Sequence, residues 1–344
     1  MTKRSLVVIA ALGVLAAGCG GTPKATVTPV AAPTSLPSSA APSPSKAASP
    51  SAAPAGNPLT GLAPQASPVV VIKVDNAVTA RRYHRGLGQA AVVYEELVES
   101  GQTRLAAVYD NAYAGEVGPI RSVRETDIEL LAQYGRVAVG FSGGNTGVKR
   151  TFSKAVAAGK LLDASYDVLP GRYRLAERRS DARNFFTTPA KLADASHAAL
   201  PQDIGLRFGP LAVTAGKPVA AATMRFSDVM YMGARYNPST GRWSISQDGR
   251  AMTGVAPTNV IVQYVTIKSS RYVDVMGAPT PYTVTTGTGN ALIMRDGRAV
   301  RATWRRLSTK TGTRYVDDKG RDIPLKPGST WIVLLPKSRT AAIS

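Results

Sequence analysis

The chain has 344 residues, 44% of them hydrophobic, and a formal charge of +20 from 42 Lys+Arg against 22 Asp+Glu. That length suits about two domains. The basic residues are scattered, with no run of five and no nucleic-acid motif, so specific nucleic-acid binding is set aside in favour of association with anionic surfaces. A single cysteine, Cys19, excludes an internal disulfide.

Residues 1–18 read as a lipoprotein signal peptide. Lys3 and Arg4 are a positive start, and Leu6 to Ala17 is an apolar stretch too short to span a bilayer. It ends in Leu15-Ala16-Ala17-Gly18-Cys19, small residues ahead of a thiol that is expected to receive a diacylglyceryl group and palmitate-type chains. Ala16 stands where such signals favour Leu, a tolerated variant. Acyl chains contribute roughly 0.8 kcal/mol per buried methylene, so two or three anchor firmly on the extracytoplasmic face of the cell membrane.

Residues 19–56 are expected to be a disordered linker. From Gly20 to Gly56 the chain is mostly Ala, Pro, Ser and Thr, with only Lys24 and Lys46 charged and no aromatic residue. Such a segment lacks the apolar area to offset its ordering entropy. Its prolines stiffen it toward polyproline II, so its stretched reach is on the order of 100 Å.

The first folded region, 57–210, is expected to be an α/β layered domain. Asn57 to Leu62 reads as a turn, and Val69 to Val74 as a strand buried on both faces. Thr103 to Tyr109 and Val137 to Phe141 read as further strands. Val123 to Tyr134, Thr151 to Ala158 and Ala190 to Leu200 have helical spacing. Polar residues crowd the ends of these elements: Asp75 and Asn76, then Glu95, Glu96 and Glu99, then Arg104. In Gly118 to Asp127, Gly-Pro predicts a turn and Ser122 a helix cap boxed by Glu125, with Arg121 and Glu125 facing one another on the first turn. Arg121 and Arg124 at a helix start form an anion receptor for phosphate, carboxylate or a wall polymer. Equally, those arginines pair with Asp75, Glu95 or Glu99 and hold the domain together.

The second folded region, 211–344, is expected to be β-rich, a curled sheet or small barrel. Its strands are read at Asn259 to Ile267, Tyr282 to Thr286, Ala291 to Arg295, Arg298 to Trp304, Thr313 to Val316 and Thr330 to Leu335. Asp296-Gly297 is a two-residue hairpin signal, and Asp248-Gly249 and Lys319-Gly320 mark other turns. Trp243, Trp304 and Trp331, with Tyr264, Tyr272 and Tyr282, are core residues or an aromatic face for sugar stacking, core being the commoner use. Arg295, Arg298, Arg301, Arg305 and Arg306 read as an electropositive strand edge or face.

No catalytic constellation stands out. Glu95 and Glu99 suit glycoside chemistry if they lie about 5–9 Å apart. Of two histidines, His84 falls in a basic loop expected to be solvated and His197 in an Ala-rich helix. No metal site or cofactor is expected, and the Gly143, Gly144 and Gly147 cluster lacks the residues of a P-loop.

The sequence resembles the YerB-like bacterial lipoproteins, a family of two consecutive domains of unknown function. The stretches that carry the resemblance are Asn57-Pro58-Leu59-Thr60-Gly61-Leu62, Val74-Asp75-Asn76, Gly86 to Glu95, Gly118-Pro119-Ile120-Arg121-Ser122, Asn259 to Gln263, Gly287-Thr288-Gly289 and Pro327 to Ile332. It covers nearly everything after the tether and implies an envelope location and a two-domain layout, without supplying a reaction. Relatives often carry His after the Asp-Asn pair and before the Gly-Gly stretch, where this chain has Ala77 and Phe141-Ser142. The expected function is a non-catalytic binding or scaffold lipoprotein, engaging an anionic cell-wall polymer or an envelope protein. Its candidate binding residues are Asp75, Asn76, Glu95, Arg104, Arg121, Ser122 and Arg124. The alternative is a wall-active hydrolase or transferase built on Asp75, Glu95 or Glu99 with Arg121 and Arg124. Carboxylates converging in a deep cleft favour the enzyme, and carboxylates capped by arginines favour the scaffold.

Overall fold

The β-branched run after the tether becomes the first strand of a computed structural model that describes residues 56–344 except 179–182, 213, 275, 276 and 278. The expected signal peptide, Cys19 and nearly all of the expected linker lie outside the described residues.

The first folded region carries β1 (Val70–Asp75), β2 (Val92–Leu97), β3 (Thr103–Tyr109), β4 (Val117–Ile120), α1 (Glu125–Leu131), β5 (Val137–Gly140), α2 (Thr146–Ala157), β6 (Leu161–Asp163), β7 (Arg174–Arg178), β8 (Arg183–Thr187) and α3 (Pro189–Ser196). The second carries β9 (Lys217–Pro218), β10 (Ala221–Arg225), β11 (Tyr231–Asn237), β12 (Arg242–Gln247), β13 (Arg250–Ala251), β14 (Asn259–Val265), β15 (Ile267–Val273) and β16 (Pro279–Thr283). It continues with β17 (Gly287–Arg295), β18 (Arg298–Arg306), β19 (Arg314–Val316), β20 (Thr330–Pro336) and β21 (Ala341–Ile343).

The two regions share one sheet. Its 14 strands follow the path β19-β18-β17-β14-β20-β2-β3-β1-β4-β8-β7, with β5, β6 and β9 attached off that path. The seam is the parallel pair β2–β20, in register from Val92↔Thr330 to Glu95↔Val333. A five-stranded sheet, β13-β12-β11-β10-β21, and the hairpin β15–β16 complete the strands. Both sheets are open at their ends, so of the curled sheet or small barrel expected of the second region the closed barrel does not form.

Strand pleating sends alternate side chains to opposite faces, and each face is buried. On one face Val71, Tyr94, Ala106 and Ile332 pack with Leu130 and Leu131 of α1 and Phe152 of α2. On the other, Ile72, Val93, Leu105 and Val333 pack with Leu192 of α3 and with Met224, Met232 and Ile245 of the smaller sheet. Trp243, Trp304 and Trp331 are all at most 3% exposed, which settles them as core.

Several local expectations are corrected. Gly118-Pro119 lies within β4 and not in a turn. The helix after it starts at Glu125, capped by Arg124, whose N–H donates to the Asp127 carboxylate at 2.7 Å. Ser122 does not cap it, because the chain just before is still in the sheet: Arg121 N–H donates to Lys73 O (2.9 Å) and Arg121 O accepts from Ser142 N–H (3.2 Å). Arg121 and Glu125 therefore do not face one another on a helical turn. Of the arginine group in β17 and β18, Arg295 and Arg306 are buried, and β18 lies inside the sheet beside β19 and β17. Arg306 donates to the carbonyls of Glu129, Thr309 and Thr311, tying the sheet to α1. Asp296-Gly297 is the expected tight hairpin, both residues in the left-handed region (φ 51° and 67°).

Candidate functional site

The polar residues that the sequence strings along β1, β2 and β3 meet at one end of the sheet, and the pleat sorts them. Arg104 of β3 pairs across strands with Asp75 of β1 on one side and Glu96 of β2 on the other. Those three and Lys73 share the face covered by α1. Asn76, Glu95 and Thr103, each one residue out of step, gather on the opposite face. The candidate residues thus divide into two groups, and Asn76 and Glu95 do not stand with the arginines.

Beneath α1, Lys73 is 0% exposed and holds Glu96 Oε1 and Asp127 Oδ1, each at 2.6 Å. Burial and the adjacent Asp127 carboxylate push the Glu96 carboxyl up, against the pull of Lys73.

Arg104, Arg121, Ser122 and Arg124 line a cleft of about 410 Å³ together with Glu99, Asp274 and Thr280, whose Oγ1 donates to Glu99 Oε1 at 2.9 Å. Arg124 is satisfied, with Nη2 at 2.7 Å and Nε at 3.1 Å from Glu99 Oε2. Burial works against the Glu99 carboxylate, but the Arg124 charge and its hydrogen bonds more than offset this and hold it below its usual range. Arg121, over a third exposed, reaches Asp75 only at 3.6 Å.

Arg104 differs from both. It is 7% exposed, its Nη1 lies 3.2 Å from Asp75 Oδ1 without hydrogen-bond alignment, and its Nε has no hydrogen-bond partner among the described residues. Burial, together with the nearby Arg124 and Arg121 charges, pushes its pKa down to about 10 against the pull of Asp75. A guanidinium carries five N–H donors, and leaving them buried without acceptors is costly. The helix terminus itself is short, α1 having seven residues, and the guanidinium groups that line the cleft stand on β3 (Arg104) and on the segment between β4 and α1 (Arg121, Arg124).

On the opposite face the Glu95 carboxylate is fully buried and receives four hydrogen bonds. Thr103 Oγ1 (3.0 Å) and Asn76 Nδ2 (3.3 Å) donate to Oε1, and Gln247 Nε2 (2.9 Å) and Trp331 Nε1 (3.1 Å) donate to Oε2. Burial nevertheless pushes its pKa up to about 7. Gln247 and Trp331 come from the second region, so this cluster links the two parts of the chain. His84, expected in a solvated loop, is half-buried and its Nε2 lies 2.7 Å from Asp75 O. Sequence reasoning missed Lys73, Asp127 and Gln247. A lysine in the middle of a β-branched run was the available signal for the first.

No group of metal-ligating residues occurs among the described residues, and none of their helices is long and apolar enough to cross a membrane.

Residues 59–202 match the family described as "Protein of unknown function (DUF3048) N-terminal domain", and residues 222–332 match its C-terminal domain. A Bacillus subtilis (strain 168) protein named "Putative lipoprotein YerB" is 25% identical over 321 residues, covering 83% of this chain and 88% of that one. The crystal structure of YerB protein from Bacillus subtilis superposes with a TM-score of 0.69 at 22% identity, covering 84% of this chain and 99% of that one. That likeness establishes the shared two-part, strand-dominated fold.

Proposed function

Given that the chain belongs to the two-domain DUF3048 family, for which no activity is described, we propose that it is an envelope lipoprotein that binds an anionic group in the Arg104–Arg121–Arg124 cleft. A lipid on Cys19 anchors it to the outer face of the membrane, and the Pro-rich tether carries the folded part toward the wall. The ligand group belongs to an anionic wall polymer. The single observation that carries this reading is Arg104: a buried guanidinium beside a cleft, ion-paired to Asp75 on one side and with its Nε lacking a hydrogen-bond partner among the described residues. A phosphate or carboxylate oxygen there satisfies that donor with a charge-assisted hydrogen bond.

The hydrolase alternative finds less support. Asp75 and Glu99 are capped by arginines, and Glu95 is sealed on the other face among four donors.

Replacing Arg121 and Arg124 with Ala is expected to lower retention of the full-length protein on purified wall material by tenfold or more, with retention falling as salt rises. Because Arg124 also holds Glu99, Arg121→Gln alone is the companion variant, expected to lose about threefold. Undiminished retention of both folded variants would reject the cleft as the binding site. Cys19→Ser should remove labelled fatty acid and release the protein from the membrane fraction; continued acylation in cells would rule out that anchor.

A further inference from the structure

A wider cleft lies entirely within the second folded region, about 680 Å³ in volume. It exists because two strands part. β14 and β17 pair from Val260↔Met294 to Gln263↔Ala291 only, whereas β17 stays paired with β18 down to Gly287↔Arg306. From Gly287 to Asn290, β17 has a ladder neighbour on one side only. The turn after β20 closes the wedge, Lys337 N–H donating to Val265 O at 2.8 Å.

The floor is built on Trp304, whose Nε1–H donates to Tyr264 O at 2.9 Å. Gly289 passes directly over it: a Cβ there would stand 2.6 Å from Trp304 Nε1, so only glycine keeps the floor low. Arg301 and Lys337 line the cleft, both exposed and neither with an ion-pair partner among the described residues. Arg339 is drawn to Asp228 at 3.0 Å, a solvent-exposed pair worth little. Thr286, Asn290 and Thr340 add hydroxyl and amide groups, and no Asp or Glu lines the cavity.

The geometry points to a second binding site here, for a phosphorylated polyol or sugar unit. Two unpaired cations without a carboxylate call for an anion, and a guanidinium beside an ammonium suits phosphate oxygens. The neutral donors and acceptors around them match hydroxyl groups, which a bare oxyanion does not offer. The volume suits a small polar ligand. The site shares no residue with the arginine cleft, so the two stand or fall separately.

Indole N–H signals of the full-length protein, labelled at its three tryptophans, provide the test. Glycerol 3-phosphate should shift the Trp304 signal saturably, while Trp331, bonded to Glu95, and Trp243 stay in place. Glycerol should not bind, and inorganic phosphate should bind at least fivefold more weakly. Arg301→Gln with Lys337→Gln should weaken glycerol 3-phosphate at least tenfold and each single change about threefold, whereas Arg121→Gln should leave its affinity unchanged. The proposal is overturned by an unmoved Trp304 signal, by equal affinity for inorganic phosphate, by undiminished affinity in the folded double variant, or by a response confined to phosphatidylglycerol vesicles.

Discussion

The two faces at one end of the large sheet carry similar residues and do different things. Under α3 and the smaller sheet, the Glu95 carboxylate is enclosed by four donors from both regions of the chain, and the atoms of that cluster without a partner among the described residues, Asn76 Oδ1 and Gln247 Oε1, are neutral acceptors. Under α1, the inner part is an ion triad, Lys73 between Glu96 and Asp127, and the outer part ends in Arg104, ion-paired to Asp75 but with its Nε unpartnered among the described residues. Burial depth therefore does not separate structural polar residues from candidate binding ones here. What sets Arg104 apart is that its unpartnered atom is a cationic donor on the wall of a cleft that two further arginines line.

That contrast is broken most severely at Lys73. Lys73→Met leaves Glu96 and Asp127 buried together without a cation and is expected to cost on the order of 3–5 kcal/mol in urea unfolding. Adding Glu96→Gln and Asp127→Asn should restore much of it. A loss under about 1 kcal/mol in the single variant would mean that the triad is not the structural unit described.

The sealed face makes the next largest prediction. Glu95→Ala strands four donors and should cost about 2–4 kcal/mol, loosening the β2–β20 seam. The carboxyl also gives stability a pH dependence whose sign follows from its raised pKa. Between its ordinary value near 4.5 and about 7, the folded state holds a proton that the unfolded state has released. This group's contribution therefore falls as pH rises through that window and is level above it. Glu95→Gln should flatten that part of the curve. An unchanged slope between pH 5 and 8 would assign it to Glu96, whose carboxyl is pushed up in the same direction.

The smallest stability effect belongs to the open group. Arg121→Gln, at a partly exposed side chain with one loose contact at 3.6 Å, should change unfolding free energy by less than about 0.5 kcal/mol while lowering retention on the wall. A large stability loss without a retention loss would move Arg121 to the structural side of the comparison.

Much of this was legible in the residues. The run ending at Asp75 gave β1, the run from Thr103 to Tyr109 gave β3 to the residue, and Asp296-Gly297 gave a hairpin, because strand burial and tight turns are written in local side-chain character. Arg104, Arg121, Ser122 and Arg124 were picked out together with Asp75, Asn76 and Glu95; those four line one cleft, whereas Asn76 and Glu95 meet each other on the opposite face of the sheet. The helix start was misread because Ser122 and Glu125 match a capping box locally, whereas sheet hydrogen bonds to the Arg121 backbone delay the helix to Glu125. The arginines of β17 and β18 were misread as one charged face because alternation alone does not reveal that Arg306 is taken inside by carbonyls of other segments.

By itself the sequence determined the family and which short runs become strands, since family motifs and period-two patterning are local properties. Only the tertiary structure decided that β20 of the second region pairs with β2 of the first, and hence that Gln247 and Trp331 enclose Glu95. It alone also decided that neighbours such as Glu95 and Glu96, or Asp75 and Asn76, serve opposite faces of a sheet. The reason is physical: a pleat separates adjacent side chains, and pairing between distant strands chooses what each of them meets.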